Sequence, residues 1–117
     1  MTTRKQTKGA PAKAGVTPDP LPLLGQELRA ADRAYIQACR RADGPGNDTP
    51  ENVAAQEAGA KRWHQAYRNI ARTAATTPAG AAVKASILLE DAENGKTAHT
   101  IAIARSLIRD LKRMGQR

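Results

Sequence analysis

Apolar residues recur along this chain at alternating steps of three and four. Leu24, Leu28, Ala31, Tyr35, Ala38 and Ala42 follow that spacing, which keeps them on one side of a helix. It predicts a first helix from residue 21 or 23 to 42, its stripe widened by Ile36 and Cys39. The run Asp43-Gly44-Pro45-Gly46-Asn47-Asp48 then stops it, because glycine takes the left-handed cap and proline cannot continue a helix. Val53, Ala60, Trp63, Tyr67, Ile70 and Ala74, interrupted only by Gln56, predict a second helix over 49–74. Thr49 caps it, Pro50 opens it, and Glu51 faces the positive end of its dipole. Thr77 and Pro78 repeat that device for a third helix ending near Glu93, with Val83, Ile87 and either Leu89 or Glu90 turned inward. Asn94-Gly95 closes it. A fourth helix starts near Thr97 or Thr100 and reaches Met114. Ile101, Ala104, Ile108, Leu111 and Gly115 form its main row, with Ile103, Leu107 and Met114 alongside.

Four helices with short connections predict an all-α fold, either an antiparallel bundle or two packed helical hairpins. Composition supports this and narrows it. Of 117 residues 24 are Ala, only 23 are larger apolar residues, and there is no Phe. Three Val and six Ile are too few for a β-sandwich or barrel. No run of about 20 apolar residues exists to span a bilayer, and Cys39 alone makes no disulfide framework. Trp63 is the largest apolar side chain and is expected to anchor the core. So lean a core suits self-association or a protein partner. Residues 1–19 carry Arg4, Lys5, Lys8 and Lys13 but only Val16 as a large apolar residue after Met1. They read as a disordered basic arm before a single helical domain over 20–117. With no secretory signal pattern, the expected setting is cytoplasmic.

The net charge of +8 lies at the ends, +3 over residues 1–19 and +5 over 96–117. Arg105, Arg109, Arg113 and Arg117 recur every four residues, with Lys112 beside them. Like charges at that spacing repel along a helix. The stripe is either a solvated face or a polyanion-binding one, with nucleic acid the leading polyanion. Thr76, Thr77 and Gly80 mark a helix start whose free amides can hold an anion; the simpler reading is a capped helix packed closely through Gly80. Catalytic chemistry is sparse. His64 and His99 lie 35 residues apart, without metal-ligand spacing, and His99 is expected to be exposed. Cys39 reads as a small core residue, Ser106 has no base nearby in sequence, and Glu90, Asp91 and Glu93 read as a solvated helix end. Gly44-Pro45-Gly46 lacks the Lys-Ser or Lys-Thr of a phosphate loop. Neither a cofactor nor a metal is called for.

Ala75-Thr76-Thr77-Pro78-Ala79-Gly80, Lys84-Ala85 and the closing Ser106-Leu107-Ile108-Arg109-Asp110-Leu111, preceded by a helix carrying Trp63 and Ile70, form a pattern over about 50 residues. It resembles a group of small uncharacterised alphaproteobacterial proteins with an Ala-Thr-Thr-x-Ala-Gly turn. The resemblance implies a bacterial or prophage-linked source and brings no activity with it. The expected function is therefore that of a non-enzymatic helical interaction or adaptor protein. A nucleic-acid-binding accessory protein, using the basic last helix and the arm, is the alternative.

Overall fold

Proline and threonine set the helix starts. In the computed structural model, which describes residues 18–115, α1 spans Leu21–Ala42, α2 Pro50–Arg72, α3 Pro78–Glu93 and α4 Thr100–Gly115. There is no strand among the described residues. Thr49 Oγ1 accepts the Asn52 amide and Thr77 Oγ1 accepts the Gly80 amide, each followed by proline in the first turn. Gly44, Gly46 and Gly95 take positive φ where α1 and α3 end, the conformation glycine enters without steric cost.

The helices form two antiparallel hairpins. α1 packs most extensively on α2 and α3 on α4, while α3 also meets α1 and α4 meets α2. Gly59 lets the backbones of α1 and α2 close together: a Cβ there would stand 3.2 Å from Tyr35 Cα. The core gathers Leu21, Leu28 and Ala31 of α1, Tyr67 and Ile70 of α2, Ile87 of α3 and Ile103 of α4. Trp63 is only half-buried at its rim, so the anchor expected from size is instead Tyr67 with Ile70. Residues near the start of α2 bury less, and Val53 stays exposed.

On α3 the inward row is Gly80, Ala81, Lys84, Ile87 and Asp91. Leu89 and Glu90, one or the other of which is expected inside, both point outward. The larger correction concerns α4. Its inner row is Ile103, Ser106 and Asp110, flanked by half-buried Leu107 and Met114. Ile101, Ile108 and Leu111 are 66%, 52% and 51% exposed. Apolar size alone puts the wrong face inside because Lys84 supplies the partner that lets Ser106 and Asp110 bury. Arm residues 1–17 lie outside the described residues, as does Arg117. Asp19, read as part of the arm, belongs to the folded domain through its hydrogen bonds. No described helix is long and apolar enough to cross a membrane.

Candidate functional site

Buried polar groups must find partners or they cost free energy, and three polar clusters here follow that rule with one exception, the Trp63 Nε1 of the third. The first joins three elements. Lys84 is fully buried, and Ser106 and Asp110 are 3% and 2% exposed. Lys84 Nζ donates to Asp110 Oδ2 and to Ser106 Oγ, the latter at 2.6 Å. Ser106 Oγ in turn donates to the Ala71 carbonyl at 2.7 Å. Asp110 Oδ2 also accepts the Ala75 amide at 3.0 Å, and its Oδ1 accepts from Arg113 at 3.3 Å. Ser106 therefore does have an amine beside it, which sequence distance hid. A serine nucleophile needs a substrate within reach and a base to take its proton. This hydroxyl is sealed from solvent, and the amine beside it is ion-paired to Asp110. The cluster ties α4 to α2 and α3.

The second cluster occupies the anion position at the start of α3. Asp19 Oδ2 accepts from the Thr76 and Thr77 amides, each at 3.2 Å, and from Thr77 Oγ1 at 2.8 Å. Its Oδ1 accepts the first amide of α1, Leu21, at 3.0 Å. One carboxylate thus serves two positive helix ends. The anion expected beside Thr76, Thr77 and Gly80 is supplied by the chain itself. Gly80 leaves the room for this carboxylate, since a Cβ there would stand 2.0 Å from Asp19 Oδ2 and displace it. Burial opposes ionisation of Asp19, but the bonds from Leu21, the Thr77 hydroxyl and the Thr76 and Thr77 amides outweigh it and lower its pKa. Thr76, Thr77, Gly80, Lys84, Ser106 and Asp110, scattered over three segments of the sequence, all lie in these two clusters.

The third cluster brings together what the sequence separates by 35 positions. His64 Nδ1 and His99 Nε2 are 2.8 Å apart, joining α2 to the turn before α4. His99 is half-buried and stacks on Tyr67 with ring centroids 4.6 Å apart. Trp63 meets His64, Tyr67 and His99 edge-on, and Lys96 lies over its ring. Tyr67 donates to Asp91 Oδ1 at 2.8 Å. Asp91 is buried, which corrects the solvated reading and raises its pKa. No group of three or more potential ligands could hold a metal ion among the described residues. Cys39, on α1, instead accepts from Gln56, and no hydrogen bond joins it to either histidine among the described residues.

Burial, the neighbouring His64 and Arg68 together lower the His99 pKa, Asp91 opposing them in part. A histidine lowered in the folded state contributes stability present above its unfolded pKa of about 6.5 and lost as pH falls through the folded value. The melting temperature should therefore drop between neutral pH and pH about 5.5, and His99→Gln should flatten that drop. Asp91 protonation acts with the opposite sign, so the comparison carries the test: a pH dependence unchanged in His99→Gln would refute the assignment.

The remaining site is the outward surface of α4. At about 100° per residue, its perimeter divides three ways. Ile103, Ser106 and Asp110 face inward. Ile101, Ile108 and Leu111 turn to solvent. Arg105 and Arg109 lie towards α2, where they share a cleft with Arg68 and Arg72, and Lys112 borders the apolar strip. Arg113 is partly committed to Asp110. Arg68 and Arg72 are absent from the residues that sequence spacing selects because nothing local aligns them with α4. No family model, curated protein or solved structure matches the chain.

Proposed function

We propose that this is a non-enzymatic helical interaction protein whose docking surface is the outer face of the α3–α4 hairpin, and that a second copy of the chain occupies it. One observation carries the reading. In a domain with so few large apolar residues, Ile101, Ile108 and Leu111 are half or more exposed, and so is Leu89, at 61%. Leu89 lies one turn before the end of α3 and Ile101 in the first turn of α4, so an antiparallel hairpin brings them to the same end. Large apolar side chains exposed together on one hairpin mark interaction sites.

The rim selects the partner. Glu93 edges the face on α3, while Arg105 and Lys112 edge it on α4. A twofold axis along the hairpin sets α3 of one copy over α4 of the other and brings acidic edge to basic edge. The lean core of each copy is consistent with burial completed on pairing.

Sedimentation over a range of protein concentrations tests this. A concentration-dependent dimer is expected. Ile108→Glu, counted twice by symmetry, should weaken it by about 2 kcal/mol or more, roughly thirtyfold. Because Ile108 is already exposed, the monomer's unfolding free energy should change by no more than about 0.5 kcal/mol. A monomer at every concentration would overturn the reading, as would an Ile108→Glu chain that no longer folds.

A further inference from the structure

α2 and α4 meet at an open cleft of about 370 Å³ lined by Arg68, Ala71, Arg72, Ala102, Arg105 and Arg109. We propose that this cleft binds the sugar-phosphate backbone of duplex nucleic acid, without sequence preference, and that Arg68 and Arg72 of α2 contribute as much as the arginines of α4. Each helix presents two guanidiniums four residues apart, and the two pairs line the same cleft. Like charges at that spacing repel, and here no carboxylate lines the cleft to relieve them. None of the four arginines forms an ion pair among the described residues; Arg68 donates only to Gln65, at 3.0 Å. An oxyanion between the two pairs removes the repulsion and accepts hydrogen bonds from several guanidinium forks.

The floor suits a phosphate. Ala71 and Ala102 are small, so a backbone oxygen can enter between the helices without a side chain in its path. The bond from Ser106 to the Ala71 carbonyl, held from behind by Lys84, fixes α4 against α2 at this point. The four arginines therefore stand on a rigid base. The absence of an aromatic side chain from the lining makes this a backbone site, since bases would have nothing to stack on. That favours duplex over single strand. Of the lining residues only Arg105 also edges the apolar face, so Arg68, Arg72 and Arg109 remain available to a phosphate when two copies pair.

The test is fluorescence anisotropy with a labelled mixed-sequence DNA duplex and the full chain, titrated at salt concentrations between about 50 and 200 mM. Binding should weaken steeply with salt. Arg68→Gln/Arg72→Gln should lower affinity at least tenfold at low salt and reduce the magnitude of the log–log salt slope by about 2, one for each phosphate no longer neutralised. Arg105→Gln/Arg109→Gln should do the same. Arg33→Gln/Arg40→Gln on α1 removes equal charge away from the cleft and should leave the slope unchanged. Circular dichroism confirms that each variant is folded. The proposal is overturned if duplex does not bind at low salt, or if the α1 control weakens binding as much as the α2 pair. It also fails if polyglutamate binds as tightly as duplex with the same arginine dependence, which would make this a site for acidic proteins.

Discussion

Lys84→Met should destabilise the domain by about 3–5 kcal/mol, the usual consequence of leaving one member of a buried ion pair without its partner. Lys84 has no solvent-exposed surface, so its ammonium can be satisfied only by Asp110 and Ser106, and removing it leaves the Asp110 carboxylate in an apolar setting. Arg113 and the Ala75 amide still reach Asp110 but do not replace a full charge at Oδ2. Asp110→Leu should cost a similar amount, because it strands the Lys84 ammonium and the Ala75 amide together. Domains of this size are stable by only about 5–15 kcal/mol, so either change consumes much of the margin. The double variant should be less damaged than the sum of the singles, since both charges leave at once. Urea unfolding of the four proteins gives the coupling directly. Additive losses, or single losses below about 1 kcal/mol, would show that the pair does not hold α3 and α4 together.

That pair also explains which parts of the fold were legible. Helix starts were readable because Thr49-Pro50 and Thr77-Pro78 act locally, through one hydroxyl and one missing donor. Helix phase in α4 was not. Ile101, Ile108 and Leu111 are the large apolar residues of one row, and periodicity selects them. The row that turns inward contains Ser106 and Asp110, and only Lys84, more than twenty residues away, makes their burial favourable. A buried ion pair leaves a polar gap in each of two helices, and neither gap has meaning without the other. The available signal was Lys84 itself, set between Ala81 and Ile87 in the middle of an inward helix face whose other charge, Asp91, lies near the helix end.

Long-range convergence hid the rest. His64 and His99 show no spacing that predicts their approach, yet α2 and the turn before α4 bring them to hydrogen-bonding distance. Asp19 looks like the end of a polar arm until the starts of α1 and α3 are seen to share it. The stripe on α4 was visible as charge, but its partners Arg68 and Arg72 belong to a helix whose amphipathic pattern speaks mainly through its apolar side. Sequence showed where the helices are; the surfaces they build depend on how the two hairpins meet.

The aromatic cluster yields the second large effect. Tyr67→Ala should cost about 3–5 kcal/mol, the range for emptying a buried aromatic position. The ring is almost fully buried, stacks on His99 and meets Trp63 edge-on at 4.9 Å. Its removal also takes away the donor to Asp91. Tyr67→Phe isolates that last contribution, about 1–3 kcal/mol for a buried acceptor left unsatisfied. Burial, followed by the bond to Asp91, raises the Tyr67 pKa, so the phenol remains a donor across the neutral range. Asp91 supplies a pH signature. Its pKa is already raised, chiefly by burial, and the Tyr67 bond is among the influences holding it down. Removing that bond raises it further, so the Tyr67→Phe penalty should shrink as pH falls and the carboxyl is neutralised. Trp63→Phe should cost least of the three, because Trp63 is half-buried and its Nε1 has no hydrogen-bond partner among the described residues. Chemical denaturation at neutral and acid pH would order the three variants. If Trp63→Phe proves the most damaging, the rim rather than Tyr67 anchors the core, and the sequence-based expectation for Trp63 is restored.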